Sequence, residues 1–327
     1  MLINKPSFYD EFKCIADNCK DSCCVGWEID VDEAALEKYK TGDGEIYRRI
    51  RDNLTESADG SICFKLLKGD RCPFLNKNGL CDIISSEGED AICEICREHP
   101  RFYEWFPNAT ECGLGLCCEE VCRLLLKDEK PFSIISENDS SISCIHNADD
   151  MKVSADYVSL WGFRNFLFDY IFSEEYNYNQ KVQLVLGQTE GYTNSTIHIK
   201  DDKSIVKGYE LTEPINEQWK ALVKELSYNL PKYKSLEKEF DNVTCGDMLY
   251  SKILAYIIYR HLIKAVYEGG IENRIAFSVE AVRFIKLTDI MTYSKKGELT
   301  LEDRVENLKM WSKQIEYSEE NTEFLIG

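Results

Sequence analysis

Cysteines are the residues of this sequence whose spacing could support chemistry. Thirteen of its fifteen cysteines lie between Cys14 and Cys122, and the stretch CIADNCKDSCC (14–24) holds four of them. Thiolates two to four residues apart can point at one ion from a tight turn or from one helical turn. The spacing therefore predicts metal binding. The predicted ligands are Cys14, Cys19, Cys23, Cys24, Cys72, Cys81, Cys93, Cys96, Cys117, Cys118 and Cys122.

The number and kind of metal centres stay open from spacing alone. Eleven thiols exceed what one tetrahedral site needs, which leaves room for two zinc ions or for one or two iron–sulfur clusters. The alternative to a functional metal centre is a structural zinc site that only stabilises the fold of a segment with little hydrophobic core. His99 is a possible mixed-site ligand, although a turn at Pro100 with structural arginines around it is the favoured interpretation.

Two other uses of cysteine are disfavoured. Disulfides form in oxidising compartments, whereas the first residues, MLINKPSFYDEFKC, lack an apolar leader segment, and the cysteine total is odd. We therefore expect a cytoplasmic protein with reduced thiols. A catalytic thiol is unsupported because no histidine lies near the first cluster in the sequence.

Composition limits the partners. The 327 residues carry a net charge of −19, which repels nucleic-acid backbones and acidic lipid surfaces. The longest apolar stretch, 253–267, is interrupted by Arg260, His261 and Lys264 and is too short and too charged for a membrane span. We expect no nucleic-acid partner and no membrane partner.

The elements that must position the cysteines are short. The fold class predicted is mainly α: an irregular Cys-rich metal-binding module with small hairpins, followed by a helical bundle-like domain. The domains predicted are a Cys-rich module at 1–126, a linker at 127–150 and a helical domain at 151–327. Hairpins are expected around 62–83, where Gly-Asp and Asn-Gly separate apolar runs, and helices at 32–52 and 115–127.

The second half has apolar residues at spacings of three and four, which is typical of amphipathic helices. An aromatic run from Trp161 to Phe172 is expected to be core, or the wall of a ligand cleft. The stretch 181–211 is ambiguous and is interpreted as a loop or short strands. The predicted helices of the bundle cover 156–173, 216–230, 246–269, 273–294 and 299–318.

Four ordered motifs carry a family resemblance that covers about the first 125 residues. They are CIADNCKDSCCVGWEID, RCPFLNKNGLCDI, EICREHPRFYEWF and GLGLCCEEVCRLLL. Together they resemble the flagellin lysine-N-methylase family, which is similar to a broader cysteine-cluster family described as zinc- or iron-chelating. The Cys117-Cys118-Cys122 group belongs to the narrower methylase-like set.

This resemblance implies methyl transfer from S-adenosylmethionine to lysine side chains of flagellin, with a bound iron–sulfur cluster, or zinc as the alternative. The residues themselves support the metal but do not identify the methyl-donor site or a catalytic residue. No Gly-x-Gly-x-x-Gly loop is present, and no Cys-x3-Cys-x2-Cys radical signature, since Gly26 and Leu125 stand where the third cysteine would be. A polar displacement is therefore the simpler mechanism, and a non-enzymatic metal-binding module is the rival function.

Overall fold

Helices make up most of the described chain, so the mainly α prediction is confirmed. A computed structural model describes residues 1–57, 60–138, 148–244 and 246–327. The strands are β1 (Leu2–Pro6), β2 (Leu54–Glu56), β3 (Ile62–Phe64), β4 (Arg101–Phe106), β5 (Ala109–Leu114) and β6 (Ile134–Asn138). The helices are α1 (Glu33–Thr41), α2 (Glu45–Asp52), α3 (Asp82–Glu87), α4 (Glu94–Glu98), α5 (Glu119–Leu126), α6 (Ala148–Ile171), α7 (Tyr178–Thr193), α8 (Asp202–Leu211), α9 (Glu217–Thr244), α10 (Asp247–Leu262), α11 (Ala265–Glu268), α12 (Ile271–Lys296), α13 (Leu301–Ile315) and α14 (Glu319–Ile326).

The chain divides into two units. The cysteine-rich unit comprises Lys13–Phe102 and Cys118–Glu120, and the helical unit comprises Met1–Phe12, Tyr103–Cys117 and Val121–Gly327. The domain boundaries predicted from the sequence stay a prediction. Residues 139–147 of the predicted linker, which include Cys144, lie outside the described residues, as does Cys245.

Two short helices open the cysteine-rich unit where one was predicted. The carboxylate of Asp32 accepts a hydrogen bond from the N–H of Ala35 at 2.9 Å and caps the start of α1. Gly44 precedes α2 with a φ of 113°, a conformation that residues with a Cβ avoid. The Gly-Asp-Gly segment at 42–44 therefore breaks the predicted helix 32–52 into α1 and α2.

The strands of the cysteine-rich unit are shorter than the predicted hairpins. Strands β2 and β3 pair antiparallel, with Leu54 opposite Phe64. Farther along, single antiparallel bridges join Leu67 to Arg71 and Leu75 to Cys81. The turn residues between 62 and 83 thus form bends that are closed by single β-bridges, where the sequence predicted hairpins. A small core packs beneath them, formed by Ile29, Val31, Ala35, Tyr39, Ile46, Ile50, Phe64, Cys72, Phe74, Leu75, Ile83, Ala91, Ile92 and Cys93.

The helical unit contains a four-stranded sheet that the sequence did not predict. The strand order is β4-β5-β1-β6, with β1 parallel to β5 and antiparallel to β6. The register places Leu2 opposite Ala109 on one side and Asn138 on the other. Parallel pairing joins segments that are about a hundred residues apart, and no local turn signal can announce it.

Helices α10 and α12 form the centre of the helical unit. Nearly every residue from Tyr250 to Leu262 is buried, as are most residues of α12. Helices that are buried on all sides are surrounded by other elements, which places α10 and α12 in the core of the helical unit. Among the described residues, no helix is long and apolar enough to cross a membrane.

The stretch 181–211 corrects the sequence interpretation, because it forms α7 and α8 with a link between them. Helix α7 contains Gly187 and Gly191, weak helix formers that masked the pattern. Its start is fixed instead by a capping box between Asn177 and Gln180. At 2.8 Å, the side chain of Asp201 caps α8 by accepting from Ser204.

A buried polar network ties the sheet to two helices of the helical unit. The carboxylate of Glu111 on β5 accepts two hydrogen bonds from the guanidinium of Arg164 on α6, both at 3.0 Å. The Tyr157 hydroxyl donates to Glu111 at 2.6 Å, and Asn4 on β1 donates to Tyr157. The hydroxyl of Tyr259 on α10 lies 3.0 Å from the carbonyl oxygen of Asn4. These bonds fix α6 and α10 against the sheet.

Candidate metal centre

The first cysteine cluster, 14–24, lies on turns that are anchored by an acidic side chain. The thiol of Cys19 donates to the carboxylate of Glu119 at 3.6 Å, and the N–H of Lys20 donates to the same oxygen at 2.9 Å. Glu119 is only 2% exposed and lies at the first residue of α5. Cys14 is exposed, and its sulfur accepts from the N–H of Ala16 at 3.4 Å.

Backbone hydrogen bonds bring the end of this cluster beside Cys72. The N–H of Cys72 donates to the carbonyl oxygen of Cys24 at 2.8 Å, and that of Gly26 donates to Asp70 at 2.9 Å. Gly26 has a φ of 96°, which the reversal of the chain at this point requires. The adjacent pair Cys23-Cys24 is thereby placed next to a cysteine some fifty residues later in the sequence.

The remaining cysteines of the cluster are positioned by helix starts. Cys81 immediately precedes α3, and Cys93 immediately precedes α4. Cys93 and Cys96 lie in one helical turn, which is the spacing expected of a ligand pair. The hydroxyl of Tyr39, from α1, lies 3.4 Å from the sulfur of Cys93 and donates to the carbonyl oxygen of Ala91 at 2.9 Å.

Six thiols of the cysteine-rich unit lie close enough to shift one another's pKa values. Burial and the charge of Cys81 raise the pKa of Cys72 to about 11. A hydrogen bond between Cys93 and Cys96 lowers the pKa of Cys93 and raises that of Cys96. Burial and the charges of Cys93, Cys24 and Cys72 raise the pKa of Cys96 further. We call these six residues the six-thiol cluster: Cys23, Cys24, Cys72, Cys81, Cys93 and Cys96.

The adjacent cysteines at 23 and 24 differ in environment. Cys23 is exposed, whereas Cys24 is partly buried and packs against the core of the unit. A hydrogen bond with Cys23 lowers the pKa of Cys24, while the charges of Cys72 and Cys81 oppose that shift. Cys24 therefore lies deeper in the six-thiol cluster than its neighbour.

The last predicted group is divided between the two units. Cys118 belongs to the cysteine-rich unit, whereas Cys117 and Cys122 belong to the helical unit. The thiol of Cys122 donates to the carbonyl oxygen of Leu116 at 2.9 Å, and Cys117 is buried beside Tyr317, whose pKa is raised by burial and by that thiol. The predicted triplet at 117–122 therefore has members in both units, and its role as a ligand group stays a prediction.

Two pairs of thiols in the six-thiol cluster are hydrogen-bonded, Cys23 with Cys24 and Cys93 with Cys96. Within 1–57, 60–138, 148–244 and 246–327, no three His, Cys, Asp or Glu side chains have the arrangement of a metal site. The chemistry of the donors nevertheless fits a soft metal, because thiolates select zinc and iron–sulfur clusters. Of the other candidates, the ring of His99 lies 5.4 Å from that of Trp27, centroid to centroid.

Tyr39 and Glu119 are site residues that sequence reasoning missed. Tyr39 contacts Cys93 from 54 residues away, and Glu119 contacts Cys19 from 100 residues away. Neither residue has a local motif, and both contacts depend on the fold of the unit. The only local signal was that Glu119 directly follows Cys117-Cys118.

Comparison with known proteins identifies relatives over part of the chain. The flagellar biosynthetic protein FliU of Salmonella muenchen is 30% identical over 140 residues, which cover 41% of this chain and 82% of FliU. The lysine-N-methylases of Salmonella typhimurium (strain LT2) and Salmonella choleraesuis (strain SC-B67) are each 30% identical over 140 residues. That match covers 41% of this chain but only 35% of each methylase, about a third of its length.

Comparisons with protein-family models and with solved structures found no match. The assignment therefore depends on the relatives, and among them on the one that is matched over most of its length. At 30% identity over 82% of that relative, the chain belongs to the family of the flagellar biosynthetic protein FliU.

Proposed function

We propose that this protein is a lysine N-methyltransferase that acts on flagellin in the cytoplasm, with S-adenosylmethionine as the methyl donor and a cysteine-bound metal centre. The observation that supports the reaction is the 30% identity to proteins named lysine-N-methylase. The flagellar target is supported by the identity to a protein named for flagellar biosynthesis.

The six-thiol cluster is the proposed site of the metal. Its donors are soft; Cys72 and Cys93 are buried, Cys24, Cys81 and Cys96 are partly buried and Cys23 is exposed. Such a donor set suits an iron–sulfur cluster, with zinc as the alternative. Thiols must lose their protons to bind a metal, so loading would break the hydrogen bond between Cys93 and Cys96 and release protons. The other predicted ligands, Cys14, Cys19, Cys117, Cys118 and Cys122, stay predictions.

The proposed chemistry makes defined demands on the chain. S-adenosylmethionine, when bound, supplies a methyl group on a positively charged sulfur. The protein has to hold the lysine amine unprotonated and in line with that methyl group, and it has to exclude water from the pair. A carboxylate or a tyrosine hydroxyl would take the proton that the amine loses.

A non-enzymatic metal-binding module is the second candidate. It is favoured by one observation: the matched segment covers 82% of FliU but only 35% of the methylases. A segment shared by a short relative and a long relative is compatible with a common binding module. In that case zinc or an iron–sulfur cluster would stabilise the cysteine-rich unit without a reaction.

Transfer of label separates the two candidates. The full chain is purified without oxygen, its iron, zinc and sulfide are quantified per chain, and it is incubated with flagellin and a methyl-labelled donor. The methyltransferase proposal expects label on flagellin lysines. Absence of label with metal-loaded protein contradicts it, and metal binding without transfer supports the module.

A further inference from the structure

A tyrosine hydroxyl lies beside one of the thiols of the six-thiol cluster. Tyr39, on α1, and Cys93 are both 0% exposed. The hydroxyl oxygen of Tyr39 lies 3.4 Å from the sulfur of Cys93 and 2.9 Å from the carbonyl oxygen of Ala91. A hydroxyl at this depth has to find its hydrogen-bond partners within the protein, and these two groups are the partners that the fold supplies.

Two neighbours hold the backbone and the ring of Tyr39 in place. The guanidinium of Arg51, on α2, donates to the carbonyl oxygen of Tyr39 at 2.7 Å and to that of Gly42 at 2.9 Å. The ring of Tyr39 packs against that of Phe64, with the two centroids 6.1 Å apart. Because both the backbone and the ring are fixed, the hydroxyl is held at a defined point beside Cys93.

Helix α1 contacts the segment that carries Cys93 at a second place. The carboxylate of Asp32, at the start of α1, accepts a hydrogen bond from the N–H of Glu94 at 2.7 Å. Asp32 and Tyr39 are seven residues apart in the sequence, which is about two helical turns, so both lie on one side of α1. That side of α1 therefore fixes the start of α4, and Cys93 with it.

Metal binding decides the direction of the hydrogen bond between Tyr39 and Cys93. In the thiol form either atom is able to donate. A sulfur that binds a metal has lost its proton and can only accept, so the hydroxyl of Tyr39 becomes the donor. Hydrogen bonds to a charged acceptor are stronger than those to a neutral carbonyl oxygen. The hydroxyl is therefore placed to share its hydrogen between Ala91 and the thiolate of Cys93.

The bond from Tyr39 persists where the bond between the two thiols does not. Cys93 and Cys96 are hydrogen-bonded to each other in the metal-free protein. Once both sulfurs bind a metal, neither keeps a proton, and that bond is lost. A tyrosine hydroxyl has an ordinary pKa of about 10 and keeps its proton at neutral pH. Tyr39 is thus a donor that remains available to Cys93 after metal loading.

We propose that Tyr39 donates a hydrogen bond to the sulfur of Cys93 when that sulfur binds the metal, and that it is a positioning residue that sets the metal affinity and the electronic properties of the centre. Hydrogen-bond partners orient the ligands of a metal, and a donor to sulfur withdraws electron density from it. The inference rests on the metal centre of the proposed function and is independent of methyl transfer. It applies to zinc and to an iron–sulfur cluster alike, because thiolates hold both.

The test uses the metal-free full chain loaded with Co²⁺, whose charge-transfer absorption reports on the sulfurs that bind it. A hydrogen bond lowers the energy of the sulfur lone pairs, so its loss in Y39F should move the sulfur-to-cobalt band to longer wavelength. Competition with a chelator should show about tenfold weaker Co²⁺ binding. The matched control is Y47F, which removes a hydroxyl 3.4 Å from the carboxylate of Glu87 in the same unit and should change neither quantity. An unmoved band in Y39F, or equal shifts in Y39F and Y47F, would overturn the proposal.

A variant of Asp32 separates the effect of the hydroxyl from the position of α4. D32A removes the acceptor of the Glu94 N–H but keeps the hydroxyl of Tyr39, so it should weaken Co²⁺ binding and leave the band in place. A shift in D32A as large as that in Y39F would assign the effect to displacement of α4 and overturn the proposal. Wild-type protein that binds no Co²⁺ would overturn it together with the metal centre. The expected shift in Y39F, beside metal-loaded wild-type protein that transfers no methyl group, would retain the role of Tyr39 and refute the proposed function.

Discussion

Removing the charge of Glu111 tests the buried network that holds the helical unit together. The side chains of Arg164 and Glu111 are 0% and 1% exposed, and two contacts of 3.0 Å join them. In E111Q the amide can still accept from Tyr157, but the guanidinium is left buried without its counter-charge. Loss of one partner of a buried ion pair costs about 3–5 kcal/mol, a large part of a total stability of about 5–15 kcal/mol.

The measurement is urea unfolding at pH 7 followed by tryptophan fluorescence. The helical unit contains Trp105, Trp161, Trp219 and Trp311, four of the five tryptophans, so the signal reports mainly that unit. For E111Q we expect the urea concentration at the unfolding midpoint to fall. The slope of the unfolding free energy against urea concentration should change little, because it scales with the surface exposed on unfolding.

Two further variants make this prediction refutable. E137Q removes a carboxylate that also lies 3.0 Å from a lysine, Lys5, but is 55% exposed, so it should cost less than about 1 kcal/mol. The double variant E111Q/R164M removes both charges and should recover part of the loss. If E111Q costs no more than E137Q, the network does not stabilise the unit as argued.

Three further predictions concern other parts of the chain. C24A should lower the metal content per chain more than C23A, because Cys24 is partly buried and Cys23 is exposed; equal losses would contradict the unequal roles. Hydrogen bonds from Arg283 depress the pKa of Asp202 to about 2, so the stability that this carboxylate contributes is present above about pH 4 and is lost as the pH falls towards 2. D202N should cost about 1 to 2 kcal/mol at pH 7 and flatten that part of the pH profile of unfolding; an unchanged profile would refute the link. Y39F removes a 2.9 Å bond to a buried carbonyl and should cost about 1 to 2 kcal/mol in urea unfolding, and a neutral effect would refute it.

The helical half was largely predictable from residue spacing. The sequence places helices at 273–294 and 299–318, and the structure has α12 and α13 there, with Gly297 in a left-handed conformation ending the first and a Thr300–Asp303 capping box starting the second. Helix α9 extends past the predicted end at 230 to Thr244, because its apolar face continues beyond Pro231. The sequence thus predicted a helix correctly where its capping residues and the spacing of its apolar residues indicated the same bounds.

The sheet and the thiol arrangement depend on contacts that spacing cannot show. Strand β1 pairs with β5 across more than a hundred residues, and the carbonyl of Cys24 meets the N–H of Cys72 through a chain reversal at Gly26. Spacing did identify the cysteines of the six-thiol cluster, each of which was among the predicted ligands. It could not divide the group at 117–122 between two units, since that division depends on the fold.

The most direct test of the central claim is site-resolved mass spectrometry of flagellin produced together with this protein. Wild-type protein and C112S, a variant of a buried helical-unit cysteine outside the predicted ligands, should yield methylated lysines. The double variant C24A/C96A should lose both bound metal and flagellin methylation. Unmethylated flagellin beside metal-loaded wild-type protein, or full methylation by a metal-free double variant, would contradict a metal-dependent lysine methyltransferase.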